Sequence, residues 1–114
     1  MKRYNPLQPH PQAVPPEQVR LLNLQIEPWE DRQRVRVHAR LTPFQKPPNL
    51  EFEIRTADDQ VVASAYIVEN IDFDLVITMH LRQLPLERRY FTLYARVEYD
   101  EIGLVYQDQQ NFSL

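Results

Sequence analysis

The chain has 114 residues, a formal net charge of −3 at pH 7, no cysteine, one glycine and ten prolines. Without cysteine it forms neither a disulfide nor a zinc–thiolate site, and a single glycine cannot build the glycine-rich loop that cradles phosphate in nucleotide-binding folds. The small acidic excess argues against a dedicated binder of nucleic acid or anionic membranes, because such proteins usually carry a large basic excess.

The first stretch, residues 1–17, is rich in proline. Five of the ten prolines stand here: Pro6, Pro9, Pro11, Pro15 and Pro16. Proline fixes φ and lacks a backbone N–H, so this spacing excludes a helix and a central strand. We predict an extended, polyproline-like arm over residues 1–17 that is largely unpaired, followed by one folded domain over residues 18–114. The arm is either a flexible tail or a segment that docks on a neighbouring subunit or partner.

Two strands follow the arm. Leu22, Leu24 and Ile26 alternate with polar residues, which predicts a first strand that ends at Pro28. The next strand, over residues 34–42, has the clearest pattern in the chain. Its apolar face carries Val35, Val37, Ala39 and Leu41, and its polar face carries Arg34, Arg36, His38 and Arg40. One face of this strand must be buried, so the pattern predicts an antiparallel sheet covered by a second layer.

The middle of the chain predicts three more strands. Leu50, Phe52 and Ile54 face one way in a third strand, and the polar turn at residues 57–60 predicts a hairpin to a fourth strand over residues 61–68. A fifth strand has five apolar residues at period two, which predicts a central core strand. These residues are Phe73, Leu75, Ile77, Met79 and Leu81.

The last two strands form a predicted hairpin. Phe91, Leu93, Ala95, Val97 and Tyr99 face inward in the sixth strand. Residues 100–103 begin with Asp and end with the lone Gly103, which predicts a turn with a left-handed glycine and a bulge. The bulge leaves open whether Leu104 or Val105 faces the core in the seventh strand.

Seven strands with short loops and no helical period predict an all-β fold, a seven-stranded antiparallel β-sandwich. Residues 84–95 resemble the segment that leads from a leucine to the corner tyrosine of the sixth strand in immunoglobulin-like and fibronectin type III-like domains. Tyr90 stands at the family spacing from Leu84, whereas the facing pattern places Phe91 in the core. The resemblance covers residues 19–114 and implies an immunoglobulin-like scaffold without a particular function.

Candidates for catalysis or metal binding are few. The only serines, Ser64 and Ser113, have no adjacent histidine and no glycine elbow. His38 and His80 would share an outer face with Asp74 if the second and fifth strands are neighbours, but the local ligand pairing of a structural zinc site is missing. We therefore predict a protein that is not an enzyme and holds neither metal nor cofactor.

Two predicted surfaces could bind a partner. The first is the arginine ladder, which comprises Arg32, Arg34, Arg36 and Arg40 with His38. It is either a strip for phosphate groups or a row of side chains paired with Glu27 and Asp74 on neighbouring strands.

The second surface is the tyrosine face on the other sheet, which comprises Tyr94, Thr92, Arg96 and Tyr66. Tyrosine and arginine are enriched at the centres of protein interfaces, and tyrosines also stack on sugars. Trp29 lies in a predicted turn, where it is either a lid over the edge of the core or a contact anchor.

These patterns predict a non-enzymatic protein-interaction or assembly module that binds a protein partner or itself, with a homodimer as one form. The alternatives are a binder of nucleic acid or another anionic ligand through the arginine ladder, which the net charge disfavours, and a carbohydrate-binding module that uses the exposed tyrosines. The chain start lacks the apolar run of a signal peptide, and no stretch approaches the ~20 apolar residues of a membrane span. We therefore expect a cytoplasmic location and no membrane partner.

Overall fold

The computed structural model describes residues 3–82 and 89–114. Seven strands and a short 3-10 helix, Pro16–Gln18, make up the regular structure of these ranges. The strands are β1 (Leu21–Pro28), β2 (Arg34–Leu41), β3 (Asn49–Thr56), β4 (Val61–Ile67), β5 (Asp74–His80), β6 (Tyr90–Tyr99) and β7 (Gly103–Ser113). The all-β prediction with seven strands is confirmed. Within the described ranges, no helix is long and apolar enough to cross a membrane.

The strands form two antiparallel sheets that pack as a sandwich. One sheet has the order β1-β2-β5 and the other has the order β4-β3-β6-β7. The predicted hairpin between the third and fourth strands is present, with Phe52 opposite Ala65. The chain therefore changes sheets between β2 and β3, between β4 and β5, and between β5 and β6.

The core lies between the two sheets and follows the alternation of β2, β3 and β6. Five apolar residues of the predicted alternating runs are at most 1% exposed; they are Val37, Leu41, Phe52, Leu93 and Val97. Ile77, in the apolar run of the predicted fifth strand, is only half-buried. The prediction of a central strand at residues 73–81 was wrong, because β5 lies at the edge of its sheet and pairs with β2 alone among the described strands. The alternation of apolar and polar residues shows which face of a strand is buried, but it does not show how many strands pair with it.

Two β-bulges change the predicted facing. The register of β1 against β2 shifts between Leu21 and Asn23, so Leu22 is 59% exposed and Leu21 is buried instead. The register of β6 against β7 shifts between Val97 and Glu98, which leaves Leu104 exposed and turns Val105 toward the core. The predicted left-handed glycine is confirmed at Gly103, whose φ is 79°.

Two neighbouring aromatic residues at the start of β6, Tyr90 and Phe91, point in opposite directions. Phe91 is 2% exposed and packs in the core, whereas Tyr90 is 72% exposed. The facing pattern is confirmed, and the tyrosine that stands at the family spacing points to solvent. Leu84, which begins the resembling segment, lies outside the described residues.

The proline-rich arm packs against its own sandwich. Val14 forms an isolated parallel bridge with Phe44, and the Tyr4 backbone N–H donates to the carbonyl of Ile71 at 2.6 Å. The Tyr4 ring stacks on the buried Phe44 ring with 6.0 Å between centroids. The prediction of a largely unpaired arm was wrong at these positions, because the end of the sandwich presents aromatic surface that the arm can cover.

Candidate interaction site

The structure brings four of the predicted contact residues together on the outer face of the four-stranded sheet. Thr92, Tyr94 and Arg96 alternate along β6, and β3 lies between β6 and β4. Glu51 of β3 stands opposite Arg96 on one side and opposite Tyr66 of β4 on the other. Trp29 follows β1 in the other sheet, so it is not part of this face.

Tyr94 occupies the middle of the tyrosine face. It stands opposite Glu53 of β3 and opposite Gln109 of β7. The guanidinium carbons of Arg55 and Arg96 lie 5.3 and 5.8 Å from the centroid of its ring. A cation within about 6 Å of a ring centroid attracts the π-electrons of the ring, so both arginines hold the tyrosine in place.

Ion pairs in turn hold the two arginines. Arg96 Nη1 donates to Glu51 Oε1 at 2.6 Å, and Arg96 Nε donates to a side-chain oxygen of Gln107 at 3.2 Å. Arg55 donates to Asp59 Oδ1 at 2.9 Å and also contacts Glu53. The bonds to Asp59 and Glu53 raise the pKa of Arg55 above its usual value. The centre of the face is therefore a connected and ordered polar network.

The rim of the same face carries two further hydrogen bonds. The Tyr66 hydroxyl donates to Glu98 Oε1 at 2.7 Å, and this bond to a carboxylate raises the pKa of Tyr66 to about 12. Thr92 Oγ1 donates to Asn111 Oδ1 at 2.8 Å. Tyr66 is half exposed, which leaves its ring open to a partner.

Sequence reasoning missed the contribution of β3 and β7 to this site. The residues it did not assign to the tyrosine face are Glu51, Glu53, Arg55, Gln107, Gln109 and Asn111. The outward positions of β3 were visible as the polar half of its alternating run, whereas the bulge at Gly103 left the facing of β7 open. The proximity of these residues to Tyr94 was not visible, because it depends on which strands are neighbours and in what register.

Four members of the arginine ladder lie on the outer face of the three-stranded sheet, and three of them, Arg34, His38 and Arg40, contact carboxylates of the chain. Arg40 Nε donates to Asp74 Oδ1 at 2.8 Å, which confirms the predicted pairing with the fifth strand. Glu27 stands opposite Arg36 in the register, yet its carboxylate lies 3.4 Å from His38 Nε2. Cross-strand pairs of opposite charge of this kind stabilise a solvated sheet face.

Trp29 lies at the end of the ladder, in the turn between β1 and β2. The guanidinium of Arg34 is 3.8 Å from the Trp29 ring centroid, and that of Arg36 is 5.3 Å away. Arg34 Nε also donates to Asp31 Oδ2 at 2.9 Å. The backbone N–H of Gln33 and then the Arg34 side chain hold the pKa of Asp31 below its usual value. Trp29 is half-buried beneath these cations.

An open cleft of about 690 Å³ borders Trp29. Its charged lining comprises Glu27, Glu30, Asp31, Arg34 and Arg36. Because three carboxylates and only two guanidiniums line the cleft, its charge does not favour the binding of an anion. Arg32 lies outside this lining, exposed in the turn with a φ of 57°.

The two strand histidines do not meet. His80 stands opposite Arg34, and His38 stands opposite Val76, two positions away from Asp74. Among the described residues, no group of three or more histidine, cysteine, aspartate or glutamate side chains could hold a metal ion.

Comparison with known proteins gives a likeness of fold. No protein-family model matches the chain, and no curated protein matches it. Among solved structures it is similar to part of a β-glucuronidase from Parabacteroides merdae, with a TM-score of 0.58, 11% identity, and 83% of this chain and 14% of that chain covered. A Ruminococcus gnavus β-glucuronidase gives a TM-score of 0.55 at 7% identity, with 85% of this chain and 16% of that chain covered.

A β-glucuronidase from Bifidobacterium dentium gives a TM-score of 0.57 at 11% identity, with 84% of this chain and 18% of that chain covered. The present chain thus spans 14–18% of the length of these three chains. At such low identity the likeness concerns the fold alone. The chain has a β-sandwich fold that also occurs as a small part of these larger chains.

Proposed function

We propose that the chain is a non-enzymatic interaction module that associates with a second copy of itself through the tyrosine face. The observation that carries the proposal is the position of Tyr94, which lies at the centre of the four-stranded sheet between Arg55 and Arg96. Tyrosine and arginine dominate the energetics of interface centres. Ordered side chains also lose little conformational entropy on association, which lowers the cost of binding.

The charges of this face support a second copy as the partner. Glu51 and Glu53 stand beside Arg55 and Arg96, so one patch contains both signs. A two-fold axis brings the same patch of two protomers together, and a patch of mixed sign can complement itself in that geometry. Each of the two glutamates contacts an arginine, an arrangement suited to ion pairing and to charge-assisted hydrogen bonds across an interface.

We also infer that the sandwich is immunoglobulin-like, and closer to fibronectin type III-like domains than to antibody constant domains. The strand order supports this, since β4 lies beside β3 rather than beside β5. In constant-type antibody domains the fourth strand belongs to the sheet of the first, second and fifth strands. The likeness to a small part of larger chains agrees with a scaffold or assembly role for such a sandwich.

Light scattering and sedimentation at high micromolar concentration test the proposal. The unchanged chain should be a dimer, and Tyr94→Glu should shift it toward monomer. The substitution removes the central ring of the face and places a second carboxylate opposite Glu53. Circular dichroism and the unfolding midpoint show whether the Tyr94→Glu domain remains folded.

Thr78→Glu is the matched control, since Thr78 is an exposed position on the outer face of the other sheet. It should leave the dimer intact. A monomer for the unchanged chain, or equal dissociation by the control, would remove self-association through this face.

A further inference from the structure

The arm and the end of the sandwich enclose a half-open pocket of about 390 Å³. Its walls include Tyr4, Pro6, Pro9, His10, Ala13 and the buried Phe44. This volume lies at the lower end of the ~300–1,000 Å³ range of small-molecule sites, so it suits a molecule of one or two rings and not a peptide. The pocket shares no residue with the tyrosine face.

Aromatic contacts hold the floor and one wall of this pocket. The Tyr4 ring lies nearly parallel to the Phe44 ring, at an interplanar angle of 24°. Phe73 meets Phe44 edge to face at 4.8 Å between centroids, and His10 meets Phe73 in the same way at 5.8 Å. Phe73 lies behind the lining, so the buried Phe44 and Phe73 rings hold the Tyr4 and His10 rings in place, and a planar ligand can stack on these two lining rings or meet their edges.

Several polar atoms that line the pocket keep unused hydrogen-bonding capacity. The His10 Nδ1 accepts from the Gln12 N–H at 3.0 Å, so in the neutral imidazole the proton is on Nε2, which is a donor without a partner in the described part of the chain. The Asn5 side chain accepts through Oδ1 from the Leu7 N–H at 2.9 Å, and among the described residues its Nδ2 has no acceptor. Gln45 donates through Nε2 to an arm carbonyl at 3.2 Å, and within residues 3–82 and 89–114 its Oε1 has no donor.

We propose that this pocket binds a small uncharged aromatic molecule that carries a carbonyl-type hydrogen-bond acceptor. The described residues that line it include no formally charged side chain while His10 is neutral. A charged ligand would therefore lose its hydration without gaining a counter-ion, and that cost disfavours it. A neutral ring loses only apolar hydration, and its carbonyl can accept from His10 or Asn5.

Benzamide is the probe, since it combines one neutral ring with a carboxamide. It is titrated into the full ¹⁵N-labelled chain and followed by NMR. Saturable shifts should be confined to the amides of the arm and of residues 44–45, with a Kd on the order of a millimolar for so small a ligand. Benzoate and benzylamine, which carry a charge, should bind at least about tenfold more weakly.

Ala13→Leu fills the pocket from its wall and leaves the backbone hydrogen bonds of residue 13 in place. It should weaken benzamide binding by about tenfold or more, because the added isopropyl group occupies the site of the ring. Leu7→Ala is the matched control in the same arm, since Leu7 is 88% exposed and does not line the pocket. It should leave the Kd unchanged.

His10→Phe provides a second readout that does not depend on filling the pocket. It keeps a ring against Phe73 but removes both ring nitrogens, the Nε2 donor and the Nδ1 that accepts from the Gln12 N–H, so benzamide should bind roughly fivefold more weakly. The inference is overturned if benzamide produces no saturable shift up to its solubility limit, or if the shifts lie outside the arm and residues 44–45. It is equally overturned if Ala13→Leu and His10→Phe both bind like the unchanged chain.

Discussion

Tyr99, at the end of β6, donates its hydroxyl hydrogen bond to the backbone carbonyl of Lys46 at 2.7 Å, and its side chain is only 3% exposed. Lys46 lies in the connection between β2 and β3, so this bond ties the crossover between the two sheets to the end of a core strand. Asn49 Nδ2 adds a bond of 2.9 Å to Asp100 Oδ1, just beyond Tyr99. This end of the sandwich is therefore joined by side-chain bonds between segments that are distant in sequence.

The first prediction concerns the hydroxyl of Tyr99. Tyr99→Phe keeps the ring in the core and removes the bond to Lys46, so the free energy of unfolding should fall by about 0.5–1.5 kcal/mol. Urea denaturation followed by tryptophan fluorescence measures the change. An unchanged midpoint would mean that solvent replaces the hydroxyl without loss.

The second prediction concerns stability in alkali. Burial, and to a lesser extent the charge of Glu101, raises the pKa of Tyr99 above its ordinary value. In the unfolded chain this phenol ionises near pH ~10. Because the folded pKa is the higher one, the stabilisation is complete below that pH and is lost as the pH rises through the folded pKa. The free energy of unfolding should therefore decline above pH ~10, and less steeply in Tyr99→Phe. Equal slopes for the two chains in urea titrations at several alkaline pH values would contradict this.

The third prediction contrasts two apolar residues of different strand position. Leu93 is fully buried in a central strand, and Ile77 is half-buried in the edge strand β5. Leu93→Ala should lower the free energy of unfolding by about 2–5 kcal/mol, since it leaves a cavity in the closed part of the core. Ile77→Ala should cost less, because its site is partly open to water. Chemical denaturation of both variants measures the difference, and an equal loss would be inconsistent with the edge position.

The fourth prediction concerns the arginine ladder. Arg34 and Arg40 already contact Asp31 and Asp74, so a phosphate would have to compete with carboxylates of the chain. We expect no gel shift of a generic oligonucleotide with low micromolar protein at physiological salt. The control replaces Arg34, Arg36 and Arg40 by glutamine. A gel shift that occurs with the unchanged chain and disappears in this triple variant would instead support the hypothesis that the arginine ladder binds phosphate groups.

The residues that β6 contributes to the candidate site could be predicted from the sequence, whereas their partners on neighbouring strands could not. The shared facing of Thr92, Tyr94 and Arg96 follows from alternation within one strand, which is a local property. The pairing of Arg96 with Glu51 depends on the register between β3 and β6. Register is set by the fit of two segments far apart in the chain, so no local pattern contains it.

The sequence alone determined the number of strands, the buried face of β2, β3 and β6, and the left-handed turn at Gly103. Each of these depends on a residue's own backbone preference or on its nearest neighbours in the chain. Tertiary structure decided the edge position of β5, the bulge that exposes Leu22, and the docking of the arm on Phe44. These features depend on the apolar surface that the assembled sheets leave uncovered, and that surface exists only once distant segments have packed.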